Sequence, residues 1–494
     1  MKDIVLHKQH YKLFPYEEIL SRKEIMSLLM PSELVEDGDI IVAKNCNNID
    51  NANKLTFISS YEYDGIVFET KQLKRETNKT KRQNTRYYAH GIHEYKGKFN
   101  PQIVHTLLNI YGVNEESCVL DPFCGSGTSL FECQLQGIKP TGVDINPLAA
   151  FIARVKTSIA FELEAITSFN IKTFVETCQH YTNGFVDENT ERTEYLHKWF
   201  DDNYYVAIES IRLVAETINA ETLRNLVLLT TSNFLRDYSC QEPGDLRIRR
   251  RNTPYPQESI WSRLEKDFTD IQAKIRDMSV EDVNHFPKAN IKNMSIIGFG
   301  QDQTYKNSFD FAITSPPYAT ALPYIDTQRL SIVWLGMALG KDIKGLECSL
   351  IGTREVGTKK ERNAIEKSLL GNDQNLTEET FCFCKSLQEK LTDKDGFRKQ
   401  NVPIMLYKYF SEMSKMFEAV HNLLKKGANY CLIVGYNKTR IGGDTLIDTP
   451  YFLSKEAERI GFKVEEIMPL EAYQRFDLHQ KNAITSEALI VLTK

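Results

Sequence analysis

The sequence predicts an α/β fold: a sheet carrying a glycine-rich βαβ unit, broken by a mainly helical insertion and preceded by an N-terminal extension. Three observations carry this prediction. Residues 117–144 read strand, glycine turn, helix, strand, and the second strand ends on an acid, Asp144. From about 158 to 289 the strand pattern stops and apolar residues recur at helical spacing. Strand patterns return at 294–314 and again between 430 and 492.

The 494 residues, with 41% hydrophobic and 26% charged side chains, suit a soluble globular protein with room for more than one domain. Met1-Lys2-Asp3-Ile4 opens no signal peptide, and no apolar run approaches the roughly 20 residues of a membrane helix. A cytoplasmic setting without a membrane partner is expected. The ten cysteines are scattered without paired CxxC spacing, which fits free thiols and offers no metal clamp. A net charge of −5 neither requires nor excludes nucleic acid, so only local basic patches bear on that.

Taken in order, residues 1–85 read as an irregular extension with a helix over 16–30 and short strands at 40–43 and 55–58. Its basic run, Lys71, Lys74, Arg75, Lys79, Lys81, Arg82 and on to Arg86, is either a solvated connector or a contact to DNA phosphates. Residues 86–157 hold the first part of the sheet domain. A helix begins at Pro101, where proline is tolerated, and Gly112 ends it. The strand 117–120 runs into Asp121-Pro122-Phe123-Cys124-Gly125-Ser126-Gly127-Thr128, then a helix to Gln136 and a strand to Asp144. Residues 158–289 form the helical insertion, with the cluster Arg247-Ile248-Arg249-Arg250-Arg251 inside it. The sheet resumes over 290–339, with strands expected at 294–297 and 309–314. Residues 340–402 are a polar insertion. Over 403–494, a helical stripe from Tyr407 to Leu424, capped at Gly427, precedes strands at 430–434, 462–467 and 488–492.

Small residues at the 125–127 turn let a ligand lie against backbone N–H groups. No lysine precedes Thr128, which argues against a phosphate loop. An acid at the strand end repels a pyrophosphate and suits a cationic ligand; a carboxylate bond to a charged group is worth roughly 1.5–3 kcal/mol. The second feature is the corner Thr314-Ser315-Pro316-Pro317-Tyr318. Two prolines fix the backbone after a buried strand. That leaves a hydroxyl, a bare carbonyl and an aromatic ring side by side, a shape able to grip something flat.

Asp-Pro-Phe-Cys-Gly-Ser-Gly-Thr followed by Thr-Ser-Pro-Pro-Tyr resembles the amino-methyltransferases of DNA, which methylate exocyclic base nitrogens of cytosine (N4) or adenine (N6). The loop His93 to Pro101 and the stretch Ile351-Gly352-Thr353-Arg354 share in the resemblance, which covers about half of the chain. It implies a Rossmann-like methyltransferase sheet, S-adenosyl-L-methionine as cofactor, double-stranded DNA as substrate, and a cognate restriction endonuclease as partner. It gives 86–157 the cofactor-binding role, 290–339 the catalytic role and 158–289 the candidate role of target recognition.

Carried over residue by residue, the resemblance assigns the cofactor to Lys98, Phe99, Asp121, Pro122, Phe123, Gly125, Gly127, Thr128, Asp144, Ile145 and Asp302. It assigns the target base to Ser315, Pro316, Pro317 and Tyr318. Arg247, Arg249, Arg250 and Arg251 are the candidate nucleic-acid contacts, with a solvated helix end as the alternative. The chemistry is consistent with the residues. The Ser315 hydroxyl and the Pro316 carbonyl can accept the two N–H bonds of a base amine, and Tyr318 can stack on the base. Stacking worth roughly 1–3 kcal/mol per base is comparable with the few kcal/mol needed to flip a base out of a duplex. Ring-carbon methylation would need a cysteine after a proline, and none of the ten directly follows one. Ser315 marks cytosine N4 within the family. Adenine N6, a guanine amine in tRNA and a catalytically inert DNA-binding protein remain the alternatives.

Overall fold

The computed structural model describes residues 2–76, 82–95, 97, 99–245, 248–278, 285–319, 324–471 and 486–494. The N-terminal stretch is more regular than its sequence suggests. Strands β1 (Lys2–Lys8), β2 (Glu33–Asp37), β3 (Ile40–Cys46), β4 (Ile58–Tyr63) and β5 (Ile66–Glu69) form an antiparallel sheet in the order β2-β3-β1-β4-β5. The helix Pro15–Leu29 packs Ile25 and Leu29 against Ile4, Leu6, Ile41 and Ala43. Edge strands β2 and β5 escape a reading by alternation because neither buries a face. The basic run is also not all connector. Lys71–Arg75 is a short helix, and buried Arg75 donates to the Leu135 carbonyl at 3.2 Å. Lys79 and Lys81 lie outside the described residues.

The central sheet is built from β6 (Cys118–Asp121), β7 (Lys139–Asp144), β8 (Asn290–Asn293), β9 (Phe309–Thr314) and β10 (Leu424–Gly435), all parallel. A two-stranded hairpin, β11 (Asn437–Thr439) and β12 (Thr445–Ile447), follows β10. Then β13 (Lys463–Glu471) and β14 (Ser486–Thr493) join antiparallel, giving the order β13-β14-β10-β9-β6-β7-β8. The chain grows outward from β6 to β8 and returns to the other side of β6 with β9. This switch of direction between β6 and β9 opens a crevice at the carboxyl ends of those strands, the usual ligand position in such sheets.

Both faces of the sheet are covered. The helix Val402–Leu423 lays Phe410, Met413, Phe417 and Val420 on one side with Ala312, Tyr430 and Leu432. The helix Pro101–Ile110 lays Ile103, Val104, Leu107 and Leu108 on the other with Val119, Phe311 and Ile313. Between β7 and β8 the described residues are mainly helical, with long helices at Ile171–Tyr181, Asp202–Ala215, Glu221–Phe234 and Ile260–Arg276. Two local expectations shift. The strand expected at 294–297 lies at Asn290–Asn293, because Ser295 accepts a bond from Ile297 N at 3.3 Å and starts a helical turn. Gly427 caps no helix: the helix ends at Leu423, and Gly427 sits inside β10 with φ +80°, its N–H donating to the Lys494 carbonyl at 2.7 Å. Among the described residues no helix is long and apolar enough to cross a membrane.

Candidate active site

At the end of β6 the chain turns through Gly125 and Gly127, at φ +49° and +74°. Both values lie in the left-handed region that side-chain-bearing residues avoid. Gly127 is needed twice over, since a Cβ there would lie 2.9 Å from the Ala153 Cβ of the helix Pro147–Ser158. Gly127 therefore faces that helix and does not line the cleft, whereas Gly125 does. Cys124 is buried, and its side chain stands where a Cβ on Gly142 would fall, which fits a packing role.

The two strand-terminal acids have different work. Asp144 accepts from Gly125 N and from Asn146 N, each at 2.8 Å, so it fixes the turn while lining the cleft. Asp121 is 2% exposed and accepts from Phe123 N at 3.0 Å, Thr314 Oγ1 at 2.7 Å and the Ser129 hydroxyl. A carboxylate has about four acceptor positions, so most of Asp121 is spent on the fold. Its bond to Thr314 ties the end of β6 to the end of β9, one residue before Ser315. Burial pushes both carboxyls up to about 6.

The corner closes the opposite wall. Ser315, Pro316, Pro317 and Tyr318 line the same cleft as Phe99, Pro122, Phe123, Thr128 and Ile145. The Tyr318 hydroxyl donates to Glu487 Oε1 at 2.5 Å. Glu487 stands near the start of β14. Because β14 runs antiparallel to its neighbours, its first residues come to the end where the parallel strands finish. Gly352, at φ +77°, presses on the corner from outside: a Cβ there would lie 2.6 Å from the Tyr318 carbonyl oxygen. Ser349, Leu350 and Ile351, just before it, line the cleft.

Twelve of the residues singled out from sequence thus meet in one cleft: Phe99, Asp121, Pro122, Phe123, Gly125, Thr128, Asp144, Ile145 and Ser315 to Tyr318. Lys98 lies outside the described residues. Asp302 is not brought to the cleft; its carboxylate accepts from Thr304 N at 2.9 Å and caps the turn Gln303–Tyr305. The wall beyond β8 is made by Met294, Ser295 and Ile296 instead. Sequence reasoning also missed Tyr95, Asn146 and Glu487. Asn146 carried a signal, an N-cap residue before a proline two positions after the acid.

The arginine cluster divides. Arg247 lies outside the described residues. Arg251 uses all five guanidinium N–H groups on the fold: the carbonyls of Ser239 (2.7 Å), Arg236 (3.0 Å), Asp237 (2.7 Å) and Pro254 (3.1 Å), and Thr253 Oγ1 (3.4 Å). No donor remains for a phosphate, which corrects its expected role as a nucleic-acid contact. Arg250 and Arg249 are exposed.

Residues 14–154 match the DNA methylase family. The Type II methyltransferase M.BsoBI of Geobacillus stearothermophilus is 24% identical over 446 residues, spanning 83% of this chain and 85% of that protein. The Type II methyltransferase M.AvaI of Anabaena variabilis is 25% identical over 400 residues, 76% of this chain and 80% of its own length. A tRNA (guanine(10)-N2)-dimethyltransferase of Methanothermobacter thermautotrophicus is 38% identical over 52 residues, which is 10% of this chain and 16% of that enzyme.

Proposed function

We propose that this chain is an S-adenosylmethionine-dependent DNA methyltransferase of the N4/N6 family and that it methylates the exocyclic N4 of cytosine at a defined site in duplex DNA. We further propose that it acts as the modification partner of a restriction endonuclease. The observation that carries the base assignment is Ser315 at the head of the corner, in the same cleft as Asp144 and the glycine turn.

The residues fit the cofactor. The glycine turn has no side chain at Gly125, the half-buried carboxylate of Asp144 suits hydroxyl or cationic groups, and Phe99, Phe123 and Ile145 offer apolar surface. When bound, S-adenosylmethionine supplies an electrophilic methyl group on a cationic sulfur. Phe123, Gly125, Asp144 and Ile145 are the residues that would hold it.

The other side of the reaction is done by the corner. A base amine is a poor nucleophile because its lone pair is delocalised into the ring. Ser315 Oγ and the Pro316 carbonyl accept its two N–H bonds, which favours a pyramidal nitrogen with a free lone pair. Tyr318 stacks on the base and replaces the neighbours it leaves in the duplex. Transfer then depends mainly on holding the reacting atoms in line.

The test is to methylate duplex DNA, digest it to nucleosides and identify the product by mass spectrometry. N4-methylcytosine is expected. N6-methyladenine alone would overturn the base assignment. Methyl transfer to tRNA and none to duplex DNA would overturn the substrate; the tRNA relative's short match, against 83% coverage for M.BsoBI, weighs against that outcome.

A further inference from the structure

We propose that Lys198, Arg249 and Arg250 form a docking surface for duplex DNA, as phosphate contacts on a turn that Arg236 and Arg251 anchor. This rests on the reading of the protein as a DNA methyltransferase. It divides the arginine cluster into two roles that sequence alone cannot separate.

The turn is a small antiparallel ribbon. Gln241 bridges Arg250, Glu242 N donates to the Arg249 carbonyl at 2.9 Å, and Arg251 N donates to the Cys240 carbonyl at 2.8 Å. Its base is held by the five bonds of Arg251. Its outer part is held by Arg236, whose Nη1 donates to the carbonyls of Pro243 (3.4 Å) and Asp245 (3.3 Å). Glu242, on the same ribbon, accepts from Asn252 N and Thr253 N. Arg249 and Arg250 are the exposed cations of the ribbon among its described residues.

Those two side chains are exposed to solvent. Arg249 has 65% of its side chain exposed, and among the described residues its ion pair is with Asp245, at 3.1 Å. Such an exposed pair is weak and readily exchanged for a phosphate. Arg250 is exposed and lies over the Trp199 ring at 4.6 Å, with Nη1 donating to the Lys198 carbonyl at 2.6 Å. The exposed Lys198 adds a third positive charge beside it.

One tether links this ribbon to the wall of the active-site cleft. Arg236 Nη2 donates to the Thr327 carbonyl at 2.5 Å, and the next residue, Gln328, accepts from Asn146 Nδ2 at 2.8 Å. Asn146 lines the cleft. The helix Glu221–Phe234, which leads to Arg236, is itself bonded near the cleft: Asn233 accepts from Glu94 N at 2.9 Å, one residue before the cleft residue Tyr95. A basic surface braced at this position can hold the backbone of a duplex while one base turns into the cleft. Contacts of this kind give affinity and orientation without sequence information.

The test uses the full chain carrying Arg249→Gln and Arg250→Gln, with anisotropy of a fluorescent random-sequence DNA duplex read at several salt concentrations. Binding should weaken roughly tenfold or more near physiological salt, and the slope of log affinity against log salt should flatten by about 0.9 for each phosphate that the variant no longer neutralises. S-adenosylmethionine affinity and thermal midpoint should stay unchanged. Unchanged DNA affinity and salt slope would overturn the proposal. So would a defect seen with duplex RNA and not with DNA. The readout needs no turnover, so it separates from the methyl-transfer test: an enzyme that methylates DNA normally yet shows no slope change refutes this surface alone.

Discussion

The wall of the cleft built from Asp121 to Thr128 and Asp144 holds its shape with bonds inside one βαβ unit, whereas the wall built from Ser315 to Tyr318 is held by residues distant in sequence. On the first wall, Asp144 reaches back only to Gly125, and Cys124 N donates to the Val143 carbonyl at 3.0 Å. On the second, Tyr318 leans on Glu487 and is backed by Gly352. The bond from Thr314 to Asp121 joins the strands that carry the two walls. On the proposed assignment of the two walls, cofactor binding is a local property, while gripping the base is a property of the assembled fold. Changes to the second wall should therefore damage methyl transfer and leave cofactor binding intact.

The largest separation is expected from Ser315→Ala. The turn at Gly125 and Asp144 does not touch this hydroxyl, so S-adenosylmethionine affinity should hold. The turnover number should fall by about a hundredfold, the scale of removing one preorganised hydrogen-bonding group at a reacting centre. Isothermal titration for the cofactor and single-turnover kinetics for transfer read the two quantities separately. Full turnover in this variant would remove Ser315 from the chemistry.

A smaller effect should come from the residues that brace the corner. Gly352→Ala introduces a Cβ against the Tyr318 carbonyl at a positive φ, and crowding of this kind costs about 1–3 kcal/mol. Glu487→Ala removes the acceptor of the Tyr318 hydroxyl. Each variant should lower transfer by roughly tenfold, about 1.4 kcal/mol. Glu487→Gln, which keeps an acceptor oxygen, should recover most of the activity. If Tyr318→Phe and Glu487→Ala lose activity additively in the double variant, the two residues do not act through their shared bond.

The same contrast explains what was legible beforehand. The glycine turn and its acid could be read because their whole logic lies within a few tens of residues: positive φ, close helix approach, a carboxylate facing backbone N–H groups. The stiffness of Ser315-Pro316-Pro317 was equally local. Glu487 could not be read, because only the antiparallel entry of β14 brings it to Tyr318. Asp302 misled because an acid after a sheet segment looks the same whether it meets a ligand or caps a turn. Arg251 misled for a related reason: a run of arginines shows charge, but only the fold shows that one of them has spent every donor. In the N-terminal sheet, β5 went unread because Ile66, Val67 and Phe68 are all exposed and give no alternation.

The smallest and most graded test concerns pH and the first wall alone. Burial holds Asp144 up to about 6, above the ordinary 3.8, and Asp121 is raised in the same direction. The ionised form of Asp144 is the one that accepts bonds from ligand hydroxyls or faces a cation. Cofactor affinity should therefore rise as pH rises through about 6 and level off above it, with roughly a twofold difference between pH 6 and neutrality for one group. Stability of the cofactor-free protein runs the other way. A carboxyl whose folded pKa is raised adds stability that is complete below 3.8 and lost as pH climbs through about 6. Asp144→Asn should weaken cofactor binding at every pH and flatten the affinity profile, whereas Ser315→Ala should leave the profile unchanged. A wild-type affinity that stays constant between pH 5 and 7 would mean that the ionised carboxylate is not what the cofactor meets. In that case the first wall would act on its ligand through the backbone turn alone.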